Sequence, residues 1–326
     1  MCLYSNHEHP LVASKRIKVY KHVSNIDADG KGAITPCQGT HFALNKEFVA
    51  QPSTVDITKR SFGYELNGGV IHACLWPDFS RGTRCLEAYI PEGTEYWIGI
   101  DKSTVCAKKI FVTNVEVTAK DFTGLDQEIA ESVYAEAPCK NGTRIGDVIR
   151  ENQQVKGVVV GFNGSQPLIA DFQHIVEAVM DSRYNSTLHK HFFDEKEAMQ
   201  DMDGRGHMEV WEKVCKDDPT RFEAYHKVKA LGDSHYIPAL GEMELLWKNL
   251  IYIAAGLSLA KFSCPFNMSG WYWTSTEYSL RGSWRSYLCS DGACRYWYRK
   301  GGQSSFVPFI ASATGQKVVQ VAKKNE

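Results

Sequence analysis

The sequence predicts an α+β protein with a mostly β first region and a second region in which helices are bracketed by strands. Three observations predict it. Short alternating polar and apolar runs separated by turn residues fill residues 16–115, helical spacing runs through 237–261, and strand-like patterning returns after residue 271. A chain of 326 residues exceeds one typical domain of ~100–200 residues and can bury two cores. Hydrophobic residues at 43% and charged residues at 23% exclude wholesale disorder. With 37 basic and 38 acidic side chains, a net charge of −1 gives no electrostatic case for a nucleic-acid partner.

The first region contains RIKVYKHV, THFALNKEFVA, GGVIHACLW, LEAYI, EYWIGI and KKIFVTNVEV. Alternation at Lys18-Val19-Tyr20 and Lys109-Ile110-Phe111-Val112 marks half-buried strands, and Pro91-Glu92-Gly93-Thr94 is the turn between two of them. Asp121 to Ala137, rich in Asp, Glu and Ala, predicts a short helix ending at Pro138. The expected division is a β-rich attachment or oligomerisation domain at 1–125, a linker or short helix at 126–140, a second domain at 141–316 and a polar tail at 317–326.

In the second region, VKGVVVGFNGSQPLIADF predicts a hairpin with turn signals at Asn163-Gly164 and Pro167. Helices are expected from about Asp194 to Met202 and from about Met208 to Ala230, the latter interrupted by Pro219. Leu240, Met243, Leu246, Trp247 and Leu250 then fall on one face of a further helix. The segment before the tail reads again as strands.

Several chemistries lack their residues. G-x-S-x-G, G-x-x-x-x-G-K and H-E-x-x-H are absent from the sequence. Asn25-Ile26-Asp27-Ala28-Asp29-Gly30 resembles the start of a calcium loop, but Gly32 and Pro36 stand where an apolar residue and a bidentate glutamate are required. It is expected to be an Asp/Gly turn. Asp201-Met202-Asp203-Gly204 has Met199 at the first ligand position and is expected to end the helix before it. Cys2, His7 and His9 lie on a terminal arm and make a weak metal-ligand set. No metal or other cofactor is expected. The N-terminus MCLYSNHEHP lacks a signal peptide's apolar stretch, and no run of 18 apolar residues occurs, so cytoplasmic synthesis without membrane insertion is expected. Ten cysteines without a CxxC pair are too few for a disulfide scaffold, and the sequons at Asn141, Asn163, Asn185 and Asn267 carry no weight without secretion.

Four of eight tryptophans, Trp271, Trp273, Trp284 and Trp297, fall within residues 271–297. Between Tyr278 and Ser305 stand six aromatics, four arginines, six serines and four glycines, with Asp291 the only acid. Tyr, Trp and Arg supply rigid contact area and Ser and Gly adaptable hydrogen bonding, which is the composition of a binding surface. An aromatic hairpin packed on another domain, with arginine stems lying over tryptophan, is the competing reading.

Ile237-Pro238-Ala239-Leu240-Gly241-Glu242, Glu244-Leu245-Leu246, Tyr272-Trp273-Thr274-Ser275-Thr276-Glu277, Trp284, Ser290-Asp291-Gly292 and Phe306-Val307-Pro308-Phe309 follow one another in an order that resembles the C-type-lectin-fold variable proteins of diversity-generating retroelements. Ile145-Gly146-Asp147-Val148 and Gly157-Val158-Val159-Val160 are similar to how such domains begin, so the likeness spans about 141–316. The closing V-P-F departs from the usual V-R-P-V. That family, which includes phage tropism determinants, rewrites adenine-containing codons on a fixed scaffold. The resemblance implies that Trp273, Ser275, Glu277, Trp284, Gly292 and Pro308 are scaffold. It implies that the ligand-binding positions are Tyr278, Leu280, Arg281, Ser283, Arg285, Tyr287, Cys289, Arg295, Tyr296, Trp297, Tyr298 and Arg299. The expected function is a ligand- or receptor-binding component of a phage virion such as a tail fibre, with a protein or glycan partner on a cell surface and, by analogy, a homotrimer.

Cys289 and Cys294 admit another chemistry. An Asp291-Gly292 two-residue turn would set them opposite each other with Cα atoms ~4.5 Å apart, within disulfide reach. The same C-x4-C followed by Arg295-Tyr296 resembles the cysteine pair of formylglycine-generating enzymes, which share the C-type-lectin-like fold and use copper(I). A copper oxidase is therefore one alternative, and a structural virion protein without ligand binding is another. In the first region, Ile90 to Gly99 followed by Cys106-Ala107-Lys108-Lys109-Ile110 resembles a β module of phage and mobile-element proteins.

Overall fold

The structure, a computed structural model, describes residues 10–34, 41–50, 70–77, 84–99, 104–118, 123–151, 154–181, 190–262, 271–289 and 292–311. It is mixed α+β with strand predominating, and it divides into two units, residues 1–136 with 261–264 and residues 137–260 with 265–326. The division falls inside the stretch expected as a linker, and the helix there belongs to the first unit. Among the described residues no helix is long and apolar enough to cross a membrane.

The first unit runs β1 (Leu11–Val12), β2 (Ile17–Val23), β3 (Asn25–Ile26), β4 (Gly32–Ile34), β5 (His41–Ala43), β6 (Lys46–Val49), β7 (Ile71–Cys74), β8 (Arg84–Ile90), β9 (Glu95–Ile98), β10 (Thr104–Ala107), β11 (Lys109–Glu116) and α1 (Gln127–Ala135). One sheet takes the order β1-β9-β10-β7-β2-β8-β11-β6, and β3-β4-β5 form a small second one. Strands β2 and β8 pair from Ile17↔Ile90 to Val23↔Arg84, so Ile17, Val19, Leu86, Ala88 and Ile90 bury together. Gly93 makes the expected turn at φ +73°, and the Thr94 N–H donates to Pro91 O at 3.2 Å. Asp126 caps α1 by accepting the Glu128 N–H at 3.0 Å. Ile129, Ala130 and Val133 are buried beneath it. The Asn25–Gly30 stretch begins as β3 and turns after Ile26, and Asp27 Oδ2 pairs with His41 Nε2 at 2.7 Å.

Burial, with Lys21 adding its charge, lowers the half-buried His72 imidazole on β7 from 6.5 to about 4. The unfolded chain therefore binds the extra proton between those values, so this contribution is complete above about pH 6.5 and lost as pH falls toward 4. At about 1.4 kcal/mol per pKa unit, discounted for partial exposure, wild type should lose about 2–3 kcal/mol from this site between pH 7 and pH 4. Denaturant unfolding should show a smaller pH dependence for His72→Gln. Parallel curves would contradict this.

The second unit runs β12 (Cys139–Lys140), β13 (Thr143–Arg144), β14 (Val148–Glu151), β15 (Gln154–Asn163), β16 (Gln166–Ala170), β17 (Val176–Val179), α2 (Glu195–Ala198), α3 (Gly204–Asp217), α4 (Glu223–Lys229), β18 (His235–Tyr236), α5 (Leu240–Lys248), α6 (Leu250–Leu259), β19 (Tyr272–Ser279), β20 (Gly282–Cys289), β21 (Gly292–Arg299), β22 (Gln303–Phe306) and β23 (Phe309–Ile310). Two five-stranded sheets form, β14-β15-β16-β23-β18 and β17-β22-β19-β20-β21, with a β12-β13 pair beside them. Helix α6 passes so close to the chain before β14 that a Cβ on Gly256 would lie 1.9 Å from Gly146 O, so only glycine fits there.

The helices depart from their expected bounds for local reasons. Helix α2 is a single turn capped by Asp194, which accepts the Glu197 N–H at 3.0 Å. Asp203 does not merely end that segment. It caps α3 by accepting the Gly206 N–H at 3.0 Å, so α3 starts four residues before Met208. The expected Met208–Ala230 helix is split after Asp217, and Phe222 at φ +53° starts α4. Asn249 separates α5 from α6 and donates Nδ2 to Val160 O at 2.9 Å. Leu240, Met243, Leu246, Trp247 and Leu250 are all buried, as their spacing requires.

Candidate ligand-binding surface

Strands β20 and β21 pair without interruption from Gly282↔Arg299 to Cys289↔Gly292. Side chains alternate across such a ladder, so neighbours in sequence leave on opposite faces. On one face, Trp284 Nε1 donates to Phe192 O at 2.8 Å and Ser286 Oγ accepts from Trp247 Nε1 at 2.7 Å. Arg295 on that face reaches Glu244 at 2.5 Å and Glu195 at 3.1 Å, which ties β21 to α5 and α2. Burial raises the Glu244 carboxyl above its ordinary range, against the pull of Arg295. The Trp297 ring stacks on Tyr278 at 4.8 Å with 6° between planes.

The other face is built on Trp271, which the sequence left without a role. Tyr287 packs on Trp271 at 4.0 Å, and the Arg285 guanidinium lies 4.2 Å over Trp271 and 4.1 Å over Tyr298. Burial among these rings lowers the Arg285 pKa. Tyr298 also approaches Trp273 at 6.2 Å.

The twelve expected ligand positions do not form one surface. Leu280 is 57% exposed, Tyr296 52%, Tyr298 42% and Trp297 39%, and Arg281 and Arg299 are exposed beside them. Tyr278, Arg285, Tyr287 and Arg295 are half-buried. Ser283 is a correction: fully buried between Glu277 and Tyr298 in the ladder, it has no access to a ligand. The Cys289 side chain lies outside the described residues. Backbone register nevertheless sets Cys289 against Gly292 and Cys294 against Tyr287, so the two-residue connection is at 290–291. The cysteines are therefore diagonal neighbours, roughly 7–8 Å apart, rather than the opposed pair expected for a disulfide. Cys2, His7 and His9 lie outside the described residues. Among the described residues no cluster of three His, Cys, Asp or Glu side chains is disposed to hold a metal ion.

The positions the resemblance assigns to scaffold are buried where they are described: Trp273, Ser275 and Glu277 at 0% exposure and Trp284 at 5%, with Pro308 also inside. Ser275 Oγ bonds His207 Nδ1 at 2.9 Å, and the Ser275 N–H donates to Pro238 O at 2.8 Å. The Thr276 hydroxyl donates to Asp201 Oδ2 at 2.6 Å and accepts the Leu240 N–H at 2.8 Å. These bonds lock β19 to the start of α5, so the hairpin rises from a fixed base.

Sequence reasoning missed Phe193, 63% exposed, which lies 5.5 Å from Tyr278 and extends the ring row Tyr278, Trp297, Tyr296. The adjacent Phe192 is buried against Trp284 and Leu240. A Phe-Phe pair just before a cap residue was the available signal.

No family model and no curated protein matches the chain. Among solved structures it is similar to a fimbrial protein from Bacteroides ovatus ATCC 8483, with 11% identity, a TM-score of 0.38, and coverage of 91% of this chain and 71% of that one.

Proposed function

We propose that the chain is a ligand-binding protein whose second unit, a C-type-lectin-like domain of the retroelement-diversified kind, presents the end of the β20–β21 ladder beside the β19–β20 turn to a protein or glycan on a cell surface. The setting that fits is a phage virion receptor-binding component, with the first unit serving attachment or oligomerisation. One observation carries the reading: residues 296–299 are exposed in succession at that end of β21. With Leu280 and Phe193, they leave more clustered apolar surface in water than a protein without a partner has use for. Display in several copies would raise weak single contacts to useful avidity.

Labelled protein is expected to stain a subset in a panel of bacterial cells. Tyr296→Ala, Trp297→Ala and Tyr298→Ala combined should cut that staining by about tenfold or more while the fold survives, as an unchanged far-UV circular dichroism spectrum at the staining temperature would check. Equal staining by the variant would overturn the reading. The diversification component is tested separately by sequencing the gene from sibling isolates: changes should cluster at adenines between codons 271 and 305, and scattered silent changes would remove it.

A further inference from the structure

Arg285 is a half-buried cation that no carboxylate pairs with among the described residues. The contrast lies within the same unit: Arg221 faces Asp181, Lys300 faces Glu277, and Arg295 faces Glu244 and Glu195. The ionisable groups that act on the Arg285 charge are two phenols, Tyr296 and Tyr298. Its Nε is enclosed and has no hydrogen-bond partner among the described residues. Cation–π contact with Trp271 and Tyr298 offsets part of the cost of that burial, and an anion would offset more. The two rings are held in place beforehand. Ser304 Oγ donates to Trp271 O at 2.8 Å, and Gly302 passes so near the Tyr298 ring that a Cβ there would lie 2.6 Å from it. We propose that Arg285 is the anion-recognition point of the binding surface and receives the carboxylate of an acidic sugar in a cell-surface glycan. This inference rests on the binding-surface reading above and names the chemistry of its ligand.

The surroundings select that ligand. The ladder sets Arg285 opposite Tyr296 and Ser283 opposite Tyr298, and alternation brings Tyr287 to the same face. Trp271 and Arg285 are half-buried and Tyr298 is exposed, so the site opens to solvent. A guanidinium fork matches a carboxylate with two parallel hydrogen bonds. A phosphate monoester brings up to two negative charges, whereas Arg285 is the one unpaired cation among the described side chains of this face. An acidic peptide segment brings several carboxylates on a flexible chain and is met elsewhere by clusters of arginine. Arg285 is surrounded instead by flat rings and phenol hydroxyls. A pyranose lays its C–H face against such a ring and exchanges hydrogen bonds with such hydroxyls, so a sugar carrying one acid group uses every kind of contact the face offers.

The probe is surface polysaccharide extracted from a strain that the labelled chain stains, freed of protein by protease. It should compete with staining, and its carboxyl-reduced form, in which each acid becomes an alcohol, should compete about tenfold or more less well. Reduction leaves phosphate and sulfate esters intact, so equal competition by the reduced form overturns the carboxylate. Failure of the polysaccharide to compete, whether or not the protein fraction of the same cells does, overturns the sugar. Arg285→Lys keeps the charge and gives up the fork, so it should bring the two forms to within about twofold of each other. An unchanged near-UV circular dichroism spectrum checks that Trp271 and Tyr298 still pack in that variant, and the comparison on the wild-type chain stands even if the variant does not fold. A lysine variant that keeps the full preference places the carboxylate elsewhere and overturns the proposal. In each of these failures the surface reading stands as long as the triple aromatic variant loses staining, and that reading fails if the triple variant stains as wild type does.

Discussion

Lys300→Met is expected to lower the stability of the second unit by about 3–5 kcal/mol, because it takes the facing cation from a carboxylate in the core. Lys300 and Glu277 are both fully buried, and their charged atoms lie 2.5 Å apart. Burial lowers the Lys300 pKa, and the facing Glu277 carboxylate works against that shift. The pair bridges the end of β21 to β19, and the Asp181 N–H donates to Lys300 O at 3.2 Å. Asp181 in turn pairs with Arg221, so a second buried ion pair sits against the first. An apolar methionine removes the cation that faces Glu277 at contact distance, with His191 Nε2 standing 3.8 Å from the same carboxylate. Lys300→Met/Glu277→Leu should recover most of the loss, since replacing both members of a buried pair is often neutral. Denaturant unfolding of the two single variants and the double gives the coupling. A loss below about 1 kcal/mol in the Lys300 variant would mean that the pair does not anchor β21.

That anchor explains which parts of the site were legible in the sequence. The strands of the first unit were readable because alternation and turns are local signals: Pro91 to Thr94 turns where its residues demand, and so does Asn163-Gly164 between β15 and β16. Helix limits were less readable because they depend on particular side-chain caps, such as Asp203 before α3, and on Phe222 adopting a left-handed conformation. Trp273 and Trp284 separated from Trp297 by motif position, and burial separates them the same way. Taking Arg295 to Arg299 as one surface overlooked the period of two, which sends Arg295 and Trp297 to one face and Tyr296 and Tyr298 to the other. The acids that hold Arg295 lie 100 and 51 residues away in the chain, and no local pattern announces them. Ser283 is small and polar enough to suit either a surface or a crowded ladder, so only its neighbours decide.

Trp284→Ala should be comparably damaging, at about 3–5 kcal/mol, and should also disable the surface from below. Trp284 is 5% exposed and packs in one cluster with Phe192, Ala198 and Leu240. Its indole N–H holds Phe192 O at 2.8 Å, and its ring meets Tyr278 edge-on at 5.7 Å. Tyr278 in turn carries the stacked Trp297, and Phe193, next to the held Phe192, meets Tyr278 edge-on at 5.5 Å. Truncation therefore leaves a cavity beneath Tyr278 and frees the Phe192–Phe193 segment together. Trp284→Phe separates the two effects. It keeps an aromatic ring under Tyr278 but gives up the indole donor, so it should cost about 1–3 kcal/mol while retaining most of the cell staining. The alanine variant, measured at a temperature where it is still folded, should lose staining even though Trp284 itself never meets the ligand. If instead it stained as wild type does, the exposed rings would be acting without the buried tryptophan, and the hairpin would hold its binding geometry through the Lys300–Glu277 anchor alone.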